Sequence, residues 1–185
     1  RLEKKFFNRN FSRPFYINAM TGGTEKALRI NEILARLAKD YNIPMMLGSE
    51  KIAVVDNKFP ETFTIAREVN KDGYLIANVG ATADLDVMKK AVELINANAI
   101  AIHLNAFQEL INGDGDRDFT SYMKNIEAAL NYFKLPIIVK ECGFGMSQRN
   151  IEDLAKLGVK YIDISGAGGT NFARIESMAN AAEDF

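Results

Sequence analysis

The chain has 185 residues, 48% of them hydrophobic, and Lys plus Arg (23) nearly balances Asp plus Glu (24). That is enough apolar material for one core and one domain over residues 1–185, and a near-zero net charge without long runs of one sign argues against a nucleic-acid footprint or a membrane-surface patch. The single cysteine, Cys142, excludes an internal disulfide and points to a reducing cytoplasm, while no apolar run has membrane-spanning length and no signal-peptide pattern opens the chain.

The hydrophobic pattern alternates between short apolar runs and helical periods. PFYINAM (14–20) is an apolar run ending in the turn TGG. EKALRINEILARLAKDY (25–41) then sets Leu28, Ile30, Ile33, Leu34, Leu37 and Ala38 mostly along one helical face. PMMLGS (44–49) is the next buried run, followed by a longer loop and a helix around 60–70. YLIANVG (74–80) reads as a strand, and DLDVMKKAVELINAN (84–98) as a helix with Asp84 as N-cap. AIAIHLNA (99–106), PIIVKECG (136–143) and YIDISG (161–166) are further strands. Between them lie helices over FTSYMKNIEAALNYF (119–133) and SQRNIEDLAKLG (147–158), the latter with Ser147 as N-cap and Gly158 just past its end.

The strand starts are about 29 residues apart, the length of one βα unit. Uniformly apolar strands belong in a parallel sheet covered on both faces. A doubly wound sheet and a TIM (β/α)8 barrel both fit. Polar or glycine-containing signatures recur at strand ends (AMTGG, GSE, ANVG, HLN, VKECG, DISGAGG), which favours the barrel, because barrels gather their sites from the C-terminal ends of several strands. A barrel needs eight strands and about 250 residues. About six βα units are countable, so the domain is expected to be incomplete at both ends, without strands seven and eight.

The strand ends suit a flat, polar, phosphorylated ligand. Ala19, Met20, Thr21, Gly22 and Gly23 bring backbone close without bulk, Ser49 and Asn78 add a hydroxyl and an amide, and Lys140 supplies a cation beside an electron-rich ring. Ser165 to Thr170 form a glycine-rich loop whose N–H groups and hydroxyls suit a phosphate. Singly, each signal has a plainer explanation: GAGG also makes a tight turn, and a lone lysine is often solvated. His103, the only histidine, shares a strand face with Asn105, two residues on. Two polar groups at a strand end are hard to explain by packing. Gln108 and Glu109 follow at once. Glu109 is either a solvated loop acid or one carboxylate on Mg2+, with phosphates and waters completing the octahedron. The run GDGDRD (113–118) reads as a polar loop and lacks the ligand spacing of an EF-hand.

INAMTGGTEKALRINE, LGSE, ANVGA, IHLNAFQELINGDGDRDF, VKECGFGMS and IDISGAGGTNFARIE, in this order, resemble the type 2 isopentenyl-diphosphate isomerase family over roughly residues 11 to 176. The resemblance implies an FMN-dependent TIM barrel that needs Mg2+ and reduced flavin, with NADPH as reductant. It implies interconversion of isopentenyl diphosphate and dimethylallyl diphosphate by a homo-oligomer of four or more subunits. Ala19, Met20, Thr21, Ser49, Asn78 and Lys140 match flavin contacts, with Ser165 and Thr170 near the flavin phosphate. Gln108 matches the substrate-facing, catalytic amide, Glu109 the Mg2+ ligand, and His103 and Asn105 contacts to the substrate diphosphate. Where the family often has Gln-Arg this chain has Glu50-Lys51, so Lys51 would meet a phosphate as a point charge rather than a bidentate fork. Two alternatives stand beside this expectation: another FMN barrel such as a 2-hydroxy-acid oxidase, and an inactive binding paralogue.

Overall fold

The computed structural model describes residues 2–7, 9–112, 115–166 and 168–183. Gly113 and Asp114 of the acidic run and Ala167 of the glycine-rich loop lie outside the described residues. The chain opens with an antiparallel hairpin, β1 (Lys4–Phe6) and β2 (Arg9–Phe11). Then come α1 (Glu25–Asp40), β3 (Met45–Met46), α2 (Lys51–Val54), α3 (Glu61–Val69), β4 (Leu75–Gly80), α4 (Leu85–Leu94) and β5 (Ala99–Leu104). The order continues with α5 (Ala106–Ile111), α6 (Tyr122–Tyr132), β6 (Ile137–Glu141), α7 (Gln148–Leu157), β7 (Tyr161–Asp163) and α8 (Phe172–Glu183).

β3 to β7 form one parallel sheet in which every strand lies beside its predecessor. A doubly wound sheet reverses its order at a switch point, and no reversal occurs here. The arrangement is an α/β half-barrel of five paired strands. The expected first strand, 14–20, contributes one parallel bridge, Ile17 to Met45. Pro14 has no N–H to donate, and Asn18 Oδ1 accepts from Ala19 N at 2.7 Å, which diverts a backbone donor from a ladder.

Alternation along the strands sorts their side chains. One face (Met45, Leu75, Ala77, Val79, Ile100, Ile102, Ile137, Val139) packs on helix residues such as Phe63, Met88, Ile126 and Leu154. The other (Met46, Ile76, Ala99, Ala101, Ile138) is covered by the hairpin through Phe11, Phe6 and Phe7. Phe7 lies 5.4 Å from Tyr74 and 4.7 Å from Tyr161, ring to ring, so an aromatic cluster seals the end where the strands begin. The sequence pattern gave no sign of this hairpin.

The helices are capped as the sequence predicts: Asp84 Oδ1 accepts from Val87 N, Ser147 Oγ from Asn150 N, and Gly158 takes φ 104°, the left-handed C-cap. The buried face of α1 differs from the expected one. It is the line Ala27, Asn31, Ala35 and Ala38, while Ile30, Ile33 and Leu37 are exposed. Small residues let α1 lie closely on α3. Asn31 is affordable inside because its amide donates to Thr21 O and Thr62 O and accepts from Thr21 Oγ1.

Arg67 on α3 ties the N-terminal ends of β4 and β5 together. Its guanidinium donates to the carbonyls of Asn70, Lys71, Gly73, Ile95 and Asn96 and to Asn98 Oδ1. Replacing it strands several part-buried acceptors at once. Arg67→Ala is expected to cost about 2–4 kcal/mol in urea unfolding, and a loss under about 0.5 kcal/mol would mean that water replaces these bonds freely.

Candidate active site at the C-terminal strand ends

The hairpin-covered face is apolar until the last residues of each strand, where it turns polar. Gly80, His103, Lys140 and Asp163 stand side by side in register on β4 to β7, and Asn78 shares their face. A cavity of about 370 Å³ opens here. Ala19, Met20, Ser49, Asn78, His103, Asn105, Gln108, Lys140 and Ser165, nine of the residues expected from sequence, line it, together with Asn18, Gly48, Cys142 and Phe172.

His103 Nδ1 lies 3.0 Å from Asn78 Oδ1. An amide oxygen only accepts, so this contact assigns the ring proton to Nδ1 and leaves Nε2 as an acceptor. Gly80 makes room for the ring: a Cβ there would come within 3.3 Å of Nε2. Burial first, then the charges of Lys140 and Lys51, push the His103 pKa down to about 4. Lys140 is buried, and among the described residues its amine bonds only to Glu141 O, at 3.0 Å. A buried cation on one neutral acceptor leaves the cavity wall receptive to an anion.

The next carboxylate is already satisfied. Glu141 Oε2 accepts from the backbone N–H groups of Gly143, Phe144 and Gly145 at 2.7, 2.8 and 2.9 Å. Burial alone would raise this carboxyl, but the N–H bonds outweigh it and hold the pKa below the usual range. Cys142 is pushed up by burial, against the pull of Lys140. Glu50, following Ser49, is fully buried and neither carboxyl oxygen has a partner among the described residues. Burial raises its pKa well above the carboxylate range, outweighing the lowering effect of the Asn78 backbone. Buried without a partner among the described residues, Glu50 favours its protonated form.

Four expected residues do not line the cavity. Thr21 is turned to Asn31, its Oγ1 donating to Asn31 Oδ1 at 2.7 Å, while Thr21 O accepts from Gly48 N at 3.1 Å. A Cβ at Gly48 would sit 2.5 Å from that carbonyl, so the strand-end approach needs glycine. Lys51, on the short α2, borders a separate cavity with Asp84 and Asp116. Thr170 is exposed. Glu109 lies at the rim of α5, with Oε1 taking Asn105 Nδ2 at 2.5 Å and Oε2 taking Asp116 N at 2.9 Å. Among the described residues no three His, Cys, Asp or Glu side chains converge as a metal cluster. A divalent cation at Glu109 would thus draw its other ligands from substrate and water.

Contacts at Glu176 and at Asp163 had no individual signal in the sequence. Gln108 Nε2 donates to Glu176 Oε1 at 3.0 Å, joining α5 to α8. Asp163 accepts from the Tyr16 hydroxyl, from Asn18 Nδ2 at 3.4 Å and, through Oδ1, from Ser165 N at 3.0 Å. That gathers the N-terminal segment and the loop after β7 at one carboxylate. Burial and then Asp163 raise the Tyr16 pKa, so its hydroxyl stays the donor.

No protein-family model matches the chain. The curated isopentenyl-diphosphate delta-isomerase of Geobacillus sp. (strain WCH70) is 50% identical over 169 residues, 91% of this chain and 48% of that protein. Those of Staphylococcus aureus (strain JH9) and Bacillus cereus (strain ATCC 10987 / NRS 248) are 45% and 47% identical, over 92% and 95% of this chain and 49% and 50% of theirs. This chain is a homologue of the isopentenyl-diphosphate delta-isomerases. It spans about half the length of these isomerases. In solved structures its fold is similar to mandelate oxidase with an FMN adduct (TM-score 0.59, 13% identity, 87% of this chain and 49% of that one). It is also similar to the flavin-binding domain of baker's yeast flavocytochrome b2 (TM-score 0.58, 15% identity, 87% and 43%). At that identity the likeness is one of fold. No helix among the described residues is long and apolar enough to cross a membrane.

His103 gives a clean readout of the isomerase homologue's cavity, because the chain has one histidine. Its depressed pKa means that the unfolded chain binds the proton first as pH falls. The stability it lends is present above pH 6.5 and is lost as pH drops toward about 4. The imidazole resonance in a proton NMR titration is expected to move with a midpoint near 4. A midpoint near 6.5 would mean that the ring is hydrated.

Proposed function

We propose that this protein interconverts isopentenyl diphosphate and dimethylallyl diphosphate as an FMN-dependent, type 2 isomerase that uses Mg2+, with NADPH keeping the flavin reduced. One observation carries the reading: a chain 45–50% identical to curated isomerases gathers His103, Asn105, Gln108 and Lys140 at one cavity. We read the whole protein as an eight-stranded barrel, cytoplasmic and homo-oligomeric.

The residues present suit both cofactors. Lys140 is a buried cation without an anionic partner among the described residues, and Ala19, Gly48 and Ser49 leave bare backbone beside it, as a flavin ring requires. The cavity falls within the usual range of about 300–1,000 Å³ for ligand sites. Ser165 and Thr170 would meet the flavin phosphate, and Thr21 would serve the flavin through its backbone. Glu109 offers one hard oxygen donor to Mg2+, whose other ligands would be diphosphate oxygens and water.

The reaction moves a proton from one end of an allylic system to the other and leaves its oxidation state unchanged. Reduced FMN, when bound, would supply the acid–base chemistry of that shift. The chain's own residues bind and orient. Asn105 and His103 hold the diphosphate, and Lys51 adds charge at the neighbouring rim. A neutral ring protonated on Nδ1 cannot donate from Nε2, so gripping a phosphate oxygen there requires His103 to take up a proton. Gln108, held by Glu176, orients the reacting carbons. Lys140 stabilises negative charge at the flavin.

An FMN titration of purified protein, followed by an anaerobic isomerase assay with Mg2+ and reduced flavin, tests the reading. Tight binding and turnover are expected, whereas reduction of bound flavin by mandelate or lactate without isomerisation would establish the oxidase alternative. Gln108→Ala should lower turnover by at least about 100-fold with flavin affinity intact, and equal loss of both would contradict its role. Pyrophosphate with Mg2+ should lift the His103 NMR midpoint from about 4 past its ordinary 6.5; an unmoved midpoint would remove His103 from the diphosphate site.

A further inference from the structure

We infer that Arg117 is a positioning residue for the cation-binding carboxylate of Glu109: it holds residues 115–117 against α5 so that the Asp116 N–H grips that carboxylate. The inference rests on the reading of Glu109 as the divalent-cation ligand and deepens it.

α5 is six residues long, and the last carbonyls of so short a helix lack intrahelical partners. Arg117 reaches one of them, Glu109 O, and two carbonyls just beyond the helix. Its Nη1 donates to Glu109 O and to Gly115 O at 3.0 Å, and its Nη2 donates to Asn112 O at 2.7 Å. A second, independent observation is Gly115. A Cβ there would sit 2.1 Å from Glu109 O, so the returning strand of the loop lies directly on the helix backbone, an approach that only glycine allows. With the loop in that place, Asp116 N reaches Glu109 Oε2 at 2.9 Å, while Asn105 Nδ2 holds Oε1 at 2.5 Å from the other side. Both oxygens are oriented, and each keeps a lone pair for a cation. Arg117 is exposed and borders neither the main cavity nor the one at Lys51. It acts through the loop.

The sign of the effect separates this role from simple electrostatics. By Coulomb's law, removing a cation near a divalent-ion site strengthens binding of that ion. Loss of a positioning residue weakens it, typically by about 10–100-fold. The experiment uses the FMN-loaded protein, with Mn2+ as the probe and inorganic pyrophosphate present, and reads free Mn2+ by electron paramagnetic resonance. Arg117→Ala is expected to raise the half-saturating Mn2+ concentration about 10-fold or more. Arg117→Lys, which keeps the charge but not the fork, should also weaken binding. FMN affinity and thermal unfolding should stay as in the parent protein. Unchanged or tighter Mn2+ binding in Arg117→Ala overturns the inference, as does an equal loss of FMN affinity, which would make the role general. If the parent protein and Glu109→Gln bind Mn2+ alike, the reading of Glu109 as the ligand fails first.

Discussion

The period of two along a parallel strand governs this molecule. Each residue of β4 to β6 has a fixed face, and the register fixes its neighbours on the next strand. Ile76 and Asn78, or Ala101 and His103, differ by one step along the same line, yet one lies in the apolar cluster and the other at the cavity. Polarity is therefore sorted by height along the strand as well as by face. The hairpin and its aromatic rings close the lower end, and small residues at Gly48 and Gly80 keep the upper end open. A slip of one residue in β5 would turn His103 into the helix layer and Ile102 into the cavity, which is why an apolar lower strand is needed to hold a polar upper one.

Four ionisable groups at the upper end meet burial in four different ways. Glu141 stays charged by collecting three backbone N–H groups. Glu50 is shifted toward its protonated form. His103 gives its proton up. Among the described residues, Lys140 leans on a single carbonyl. Of these, Lys140 and His103 face the cavity, one with charge to share and the other with a proton to gain. Both leave polar capacity turned toward the cavity.

The strands and most helices were legible because their patterns are strong: YLIANVG and PIIVKECG are uniformly apolar and end in small or polar groups. The strand-end residues were legible for the same reason, since a polar side chain closing an apolar run has few places to point. The remainder escaped through tertiary effects. The first apolar run pairs at Ile17 alone, because proline and an asparagine side chain remove its backbone donors. α5 is too short to show a period, and the hairpin carries charged residues whose value lies in the phenylalanines between them. On α1, burial follows close approach and a satisfied asparagine, so Ile30, Ile33 and Leu37 are exposed although their spacing predicts a buried face, while Leu34 and Ala38 do face the core. Glu176 sits 68 residues from Gln108, a distance that only the fold closes.

Arg67 has a consequence for how the molecule tolerates change. Every acceptor it holds lies before β4 or before β5, at the end of the sheet remote from the cavity. The Arg67 bonds lie at one pole and the cavity at the other, with the length of the strands between them. Sites so separated, with no shared partner, combine additively. The cavity rim can thus be varied residue by residue with its stability costs summed one at a time, and a compensating gain at the lower pole, such as a better-packed hairpin, transfers to any rim variant without retuning.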